Sequence, residues 1–160
     1  MDGPNLINTH VKLLAFDFLT LKPIPHEPTS FSRKGKRLSR AETLGIVVTR
    51  DFKPNRFLRF DIDDGTACIP CILWLNQETS LHFSRGRCPS DVRLISQMAA
   101  DFASQVQLGV IARVRGRITS YRGNLQITVA DVVIERDPNS QILHWLDCLR
   151  LSHNCYDKLV

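Results

Sequence analysis

The sequence predicts an all-β barrel with helices, and three observations carry that expectation. Residues 39–136 hold five stretches with strand character. A helical pattern interrupts them between the third and the fourth. Gly45 and Gly116 fall inside strand patterns, where a tightly coiled barrel needs residues without a Cβ.

The first strand is Thr43 to Arg50, rich in β-branched residues. Lys53-Pro54-Asn55 is turn chemistry. The second strand alternates, with Leu58, Phe60 and Ile62 on one face and Phe57, Arg59 and Asp61 on the other. Asp63-Asp64-Gly65 closes a hairpin, because Asp-Gly tolerates the positive φ of such turns. The third strand runs from Thr66 to Trp74. Pro89-Ser90-Asp91 then starts a helix with a Ser or Asp cap. Leu94, Ile95, Met98, Phe102 and Val106 follow at helical spacing, and Gly109 ends it. The fourth strand alternates Val110, Ala112, Val114, Gly116 and Ile118 with Ile111, Arg113, Arg115, Arg117 and Thr119. The fifth carries Leu125, Ile127 and Val129 after the turn at residues 120–124. Asp137-Pro138 opens a C-terminal helix, an acid and a proline both being favourable there. The order β-β-β-α-β-β is that of the oligonucleotide-binding barrel, the five-stranded OB-fold.

Three parts follow from this pattern. Residues 1–38 are an arm with one strand-like piece, Val11 to Leu21, and a loop containing Pro23, Pro25 and Pro28. The loop ends in the basic run Arg33-Lys34-Gly35-Lys36-Arg37. That density of proline and charge argues against a packed strand. The run suits a nuclear import signal, a phosphate-binding arm or a solvated loop tip. Residues 39–136 are the barrel, and residues 137–160 are the C-terminal helix. In that helix Ile142, Trp145, Leu146 and Leu149 form an apolar stripe, which Leu143 and Cys148 widen. Gln141, His144, Asp147 and Arg150 are its polar surroundings. The stripe either folds back on the barrel or meets a partner.

The chain has 160 residues and a net charge of 21 − 16 = +5, which suits an anionic partner. Apolar residues make up 43%, enough for a core, so disorder throughout and collagen are excluded. No apolar run approaches the ~18 residues of a membrane span. Five cysteines, an odd number at irregular spacing, read as reduced thiols of a cytosolic or nuclear protein. Cys68 and Cys71 have a zinc half-site spacing, but alternation along a strand sends them to opposite faces. Asp61, Asp63 and Asp64 are better explained by the Asp-Gly turn than by a two-metal site. No nucleophile, base and oxyanion donor stand together, so neither catalysis, metal nor cofactor is expected.

Two constellations point to nucleic acid. Arg113, Arg115 and Arg117 share a strand face, with Arg122 in the next loop and no acid between residues 102 and 130. They form either a phosphate-tracking groove or a solvated outer face. Phe57, Trp74 and Tyr121 fall where an OB-fold surrounds its ligand, with Arg59 and Lys53 beside them. Bases stack on such rings, although Trp74 also suits a core plug.

Longer runs carry a resemblance. Residues 50–60, then Asp63-Asp64-Gly65-Thr66, residues 72–76, residues 114–118 and 120–123, and Glu135-Arg136-Asp137-Pro138 are similar to the Stn subunit of the CST telomere complex. The opening at residues 10–18 and the tail Ile142-Leu143-His144-Trp145-Leu146 resemble its short plant form. The resemblance implies a non-enzymatic subunit that binds single-stranded telomeric DNA in the nucleus. It implies partnership with the Ten subunit through the C-terminal helix, with the Ctc subunit, and with DNA polymerase alpha–primase in lagging-strand fill-in. The chain departs from the family turn at Ala67, where glycine is usual, and its length leaves no room for the C-terminal winged helices of longer relatives. The alternative is the middle subunit of a replication protein A-like heterotrimer, a related family with the same barrel and a following partner helix.

Overall fold

The computed structural model describes residues 6–75 and 89–157, with only the backbone of Pro89 and Ser90. Its strands are β1 (His10–Lys12), β2 (Lys22–Ile24), β3 (Glu27–Arg33), β4 (Lys36–Leu38), β5 (Arg40–Lys53), β6 (Phe57–Asp63), β7 (Cys68–Trp74), β8 (Ile111–Tyr121) and β9 (Asn124–Glu135). The helices are α1 (Ala15–Leu19), α2 (Pro89–Gln105) and α3 (Asn139–Leu151), and a π turn at Ser152–Tyr156 follows α3.

The alternating patterns become barrel walls. Leu58, Phe60 and Ile62 are fully buried, as are Ala112, Val114 and Ile118. Strands β5, β6 and β7 form an antiparallel meander, β7 runs parallel to β9, and β8 pairs with both β9 and β5. The cycle β5-β6-β7-β9-β8-β5 is closed, which is the five-stranded OB-fold. Coiling brings backbones close at the two glycines. A Cβ on Gly116 would lie 2.8 Å from Ile127 Cγ2 and nearer still to the Thr128 carbonyl oxygen. On Gly45 it would lie 2.6 Å from Ile62 Cγ2. The β6–β7 turn uses Gly65 at φ 91°.

Between β7 and β8, α2 lies against the barrel through only part of the stripe the spacing suggests, Phe102 and the following Val106. Val92, Ala99, Ala103 and Val106 are buried, while Leu94 and Met98 are exposed. Small residues let the helix approach closely, and the longer side chains are left outside. Arg50 fixes its end by donating to the carbonyls of Val106 (2.8 Å) and Ala103 (3.3 Å). The Ser90 side chain, like Asn76, His82 and Cys88, lies outside the described residues.

The first 38 residues differ most from expectation. The strand expected at Val11–Leu21 is three residues of β1, parallel to β5, followed by the short helix α1. The proline-rich stretch is a three-stranded antiparallel sheet, β2-β3-β4. Pro23, Pro25 and Pro28 are exposed, in strands or connections where a missing N–H is tolerated. The basic run is the β3–β4 hairpin, with Lys34 and Gly35 at positive φ. Its charges are engaged: Arg33 pairs with Asp17 and Asp157, Lys34 with Asp157 (2.9 Å), and Lys36 donates to the Cys155 carbonyl. Leu13, Phe18, Phe31, Leu38 and Tyr156 share one hydrophobic cluster with the barrel walls. The arm is therefore part of the fold, held by a core contact at each end.

The close approaches make a prediction. Gly116→Ala should cost about 3 kcal/mol, because the obstruction is backbone that cannot give way. Gly123→Ala, a turn position with open space, should cost about 1 kcal/mol for its positive φ. Urea denaturation checks both, and a near-neutral Gly116→Ala would contradict the coiled-strand geometry.

Candidate nucleic-acid interface

Residues directly opposite in an antiparallel ladder share a face. Phe57 is opposite Trp74, Arg59 opposite Ile72, and Asp61 opposite Pro70. Arg59, Asp61 and Pro70 of this face line a groove of about 400 Å³, bordered by Tyr121, Arg122 and Asn124 of the β8–β9 hairpin, and Phe57 and Trp74 lie next along the same face, outside its lining. Trp74 is 39% exposed and Tyr121 41%, so neither ring is a core plug. Phe57 and Trp74 meet edge to face at 6.0 Å. The Arg59 guanidinium is 5.0 Å from the Phe57 ring centre and 4.8 Å from that of Tyr121. Arg122 covers Tyr121 at 5.2 Å. Arg122 itself has φ 51° and Gly123 φ 80°, which curl the hairpin tip.

The two rings flank the Arg59 guanidinium, and its Nε is buried with no hydrogen-bond partner among the described residues. A buried cationic donor without a partner is costly unless a ligand supplies the acceptor. A hydrogen bond from Arg59, then the charge of Arg122, hold the Tyr121 phenol below its ordinary pKa. The surface thus alternates π faces with fixed cations, which suits bases and phosphates. Asp51 and Asp61 also line the groove, whereas Lys53, expected in the site, is outside its lining and pairs with Asp51 at 3.4 Å.

The structure does not bring the arginine row of β8 into this groove. Arg113 reaches Glu135 (3.0 Å) and Glu42 (3.5 Å), and Arg115 pairs with Glu42. The local absence of acids in sequence is compensated across the barrel by Glu42, which is buried and also bound to Lys12. Arg117 lies farther along the strand, outside the groove. Cys68 is exposed and Cys71 buried, on opposite faces as alternation requires, and burial pushes the Cys71 thiol well up. Asp63 and Asp64 serve the turn by accepting the Gly65 and Thr66 amides.

Sequence reasoning missed Asp64 as a junction. Its second carboxylate oxygen accepts the Ala15 amide at the start of α1 (2.7 Å), and its carbonyl accepts Trp145 Nε1 (2.8 Å). The helix α3 therefore faces the barrel with Ser140, His144 and Cys148, at spacing i, i+4 and i+8. His144 and Cys148 were expected at the polar edge and within the stripe, respectively, yet both are buried. Small and polar groups fit there because Glu42, Lys12 and Arg113 lie beneath them. Burial lowers the His144 pKa and pushes Cys148 up to about 12. The opposite face is apolar and open: Ile142 is 61% exposed, Leu146 57%, Leu149 53%, and Trp145, tied to Asp64, 37%. Asp137 begins the helix by accepting the Asn139 amide.

Comparison with known proteins agrees with this fold. Residues 43–135 match the OB-fold nucleic acid binding domain family. The chain is 49% identical over 153 residues to the Arabidopsis thaliana CST complex subunit STN1, covering 95% of this chain and 94% of that protein. The chain belongs to the STN1 family. It spans 42% of the longer Homo sapiens STN1. Its fold is similar to a solved chain of the S. pombe Stn1–Ten1 complex, with a TM-score of 0.68 at 16% identity over 90% of this chain and 91% of that one. It is equally similar to a chain of a replication protein A heterotrimer bound to single-stranded DNA, with a TM-score of 0.68 at 18% identity over 91% of this chain and 97% of that one. In this STN1-family chain the aromatic groove and the open face of α3 lie on separate elements of one barrel.

The tyrosines report the groove directly, since the chain has two. Tyr121 should ionise below, and Tyr156 above, the ordinary phenol pKa, Tyr156 because burial raises it. An alkaline absorbance titration should show two steps, and Arg59→Gln should move the lower one upward. A single shared step in the folded protein would contradict the Arg59–Tyr121 contact.

Proposed function

We propose that this chain is the non-enzymatic, single-stranded DNA-binding subunit of a CST complex, acting at telomeres in the nucleus. There it protects chromosome ends and supports lagging-strand fill-in through DNA polymerase alpha–primase. The observation that carries the DNA-binding part is Arg59, clamped between Phe57 and Tyr121 with an unpartnered donor, beside the outward Trp74. Stacking contributes about 1–3 kcal/mol per base, so a groove with these few rings binds weakly alone and tolerates many sequences. Membership of the STN1 family supports the telomeric setting and the Ctc partner.

The open apolar face of α3 supports assembly with the Ten subunit. An exposed stripe of Ile142, Leu146 and Leu149 around a half-buried tryptophan is the composition of an interface centre. Trp145 is pre-oriented by its bond to the Asp64 carbonyl, which lowers the entropy lost on docking.

Tyr121→Ala with Trp74→Ala should weaken binding of a telomeric oligonucleotide at least tenfold, with the thermal transition kept. Fluorescence anisotropy at two salt concentrations checks this, and unchanged binding would remove the groove from the mechanism. Leu146→Glu and Leu149→Glu should abolish co-purification with the Ten subunit while circular dichroism stays that of the wild type. More than half of each of these side chains is exposed, so with the fold kept, retained pairing would place the interface elsewhere.

A further inference from the structure

Beyond the groove lies a second concavity, where β3, β5 and β8 meet. It has a volume of about 680 Å³ and its lining includes Arg40, Arg117, Ser30, Thr29, Thr119 and Ser120. Among the described residues its lining contains no acid, whereas Asp51 and Asp61 line the groove. Arg40 and Arg117 are direct partners in the β5–β8 ladder, so two guanidiniums project from the same face side by side. Like charges directly opposite destabilise a sheet. The next pair along the same face, Glu42 with Arg115, is opposite in sign and forms an ion pair. One carboxylate therefore serves Lys12, Arg113 and Arg115 and stops short of Arg117. Among the described residues neither the Arg40 nor the Arg117 guanidinium has an ion-pair or hydrogen-bond partner.

An anion between the two guanidiniums turns this repulsion into a paired site, and arginine's planar fork suits phosphate oxygens. Hydroxyls of Thr29 and Ser120 stand at the walls as further donors. The position selects the source of the phosphate. Ser120 lines this cleft, and its chain neighbour Tyr121 lines the groove. Thr119 here is the ladder partner of Gln126 there. The two concavities are thus separated by the width of one hairpin. Four strand residues, about 13 Å, separate Arg117 from Tyr121.

The geometry points to a phosphate clamp: Arg40 and Arg117 grip the backbone of a single nucleic-acid strand that has crossed the β8–β9 hairpin from the aromatic groove. This rests on the DNA-binding function proposed above and adds a second contact to it. A clamp of this kind reads charge, not sequence, and lengthens the footprint without new stacking.

The test uses the full chain, Arg40→Gln/Arg117→Gln, and oligonucleotides of about 5 and about 16 nucleotides, the ends of the range for one OB-fold. Arg136→Gln and Arg37→Gln combined remove the same net charge elsewhere. The clamp variant should bind the long strand about tenfold more weakly than wild type, and the slope of log K against log salt should shrink by roughly 1.4, that is about 0.7 for each phosphate lost. The short strand should bind it as it binds wild type. The unliganded clamp variant should also melt at or above the wild-type temperature, since a repulsion has been removed. Equal losses in the clamp and control variants would overturn the proposal, as would an unchanged long-strand affinity and salt slope. A clamp variant that melts earlier than wild type would make the arginines structural and overturn it too. Loss of both strands in Tyr121→Ala, with the clamp variant as wild type, would leave the groove standing and remove the clamp alone.

Discussion

Asp64 is the residue on which the arrangement of this molecule depends. Its side chain lies buried in the β6–β7 turn and binds three donors: the Thr66 amide and hydroxyl and the Ala15 amide. Its carbonyl binds the Trp145 indole. A hydrogen bond to a carboxylate contributes about 1.5–3 kcal/mol, and a buried carboxylate left without its donors costs more than that. One turn therefore closes the hairpin, satisfies the first orphan amide of α1 and sets the rotation of α3. Phe16 donates to Thr66 in the same turn, which fixes α1 a second time.

That rotation explains the division of the surface. With Trp145 pinned, the Ser140, His144 and Cys148 face must turn toward the barrel and the leucine face outward. The barrel accepts this polar seam because Glu42 lies beneath it with its three cations. The same ion cluster pairs Arg113 and Arg115 and, among the described residues, leaves Arg117 and Arg40 without an ion-pair partner. Which cations of this face are neutralised is thus decided by one buried carboxylate, Glu42, rather than by the net charge of +5. A strand carrying three alternating arginines consequently presents three different environments.

Much of this was legible in the sequence. Alternation placed Phe57, Arg59 and Asp61 on one face, the Asp-Gly turn located the hairpin, and Gly45 and Gly116 marked the coiled strands, whereas the pairing of Trp74 with Phe57 came only with the β6–β7 register. Heptad-like spacing identified the α3 stripe, which the fold leaves open. The rest depended on contacts between residues far apart in the chain. Nothing near Arg113 in sequence announces Glu42, which reaches it only through the β5–β8 ladder. Nothing in Ser140-x-x-x-His144-x-x-x-Cys148 announces a packed face, because burial of polar groups depends on what lies under them. In α2 the short side chains, Ala99 and Ala103, take the contact that Leu94 and Met98 were expected to make. The prolines of the first segment suggested a loop, whereas edge strands and turns accommodate them.

The central claim is that one face of the barrel takes the DNA strand and α3 is kept free for a protein. Amide hydrogen exchange of the whole chain with and without a single-stranded oligonucleotide tests it most directly. Slowed exchange in β6, β7 and the β8–β9 hairpin, with α3 unchanged, is the expected result. Slowed exchange confined to α3, with those strands unchanged, would contradict the account.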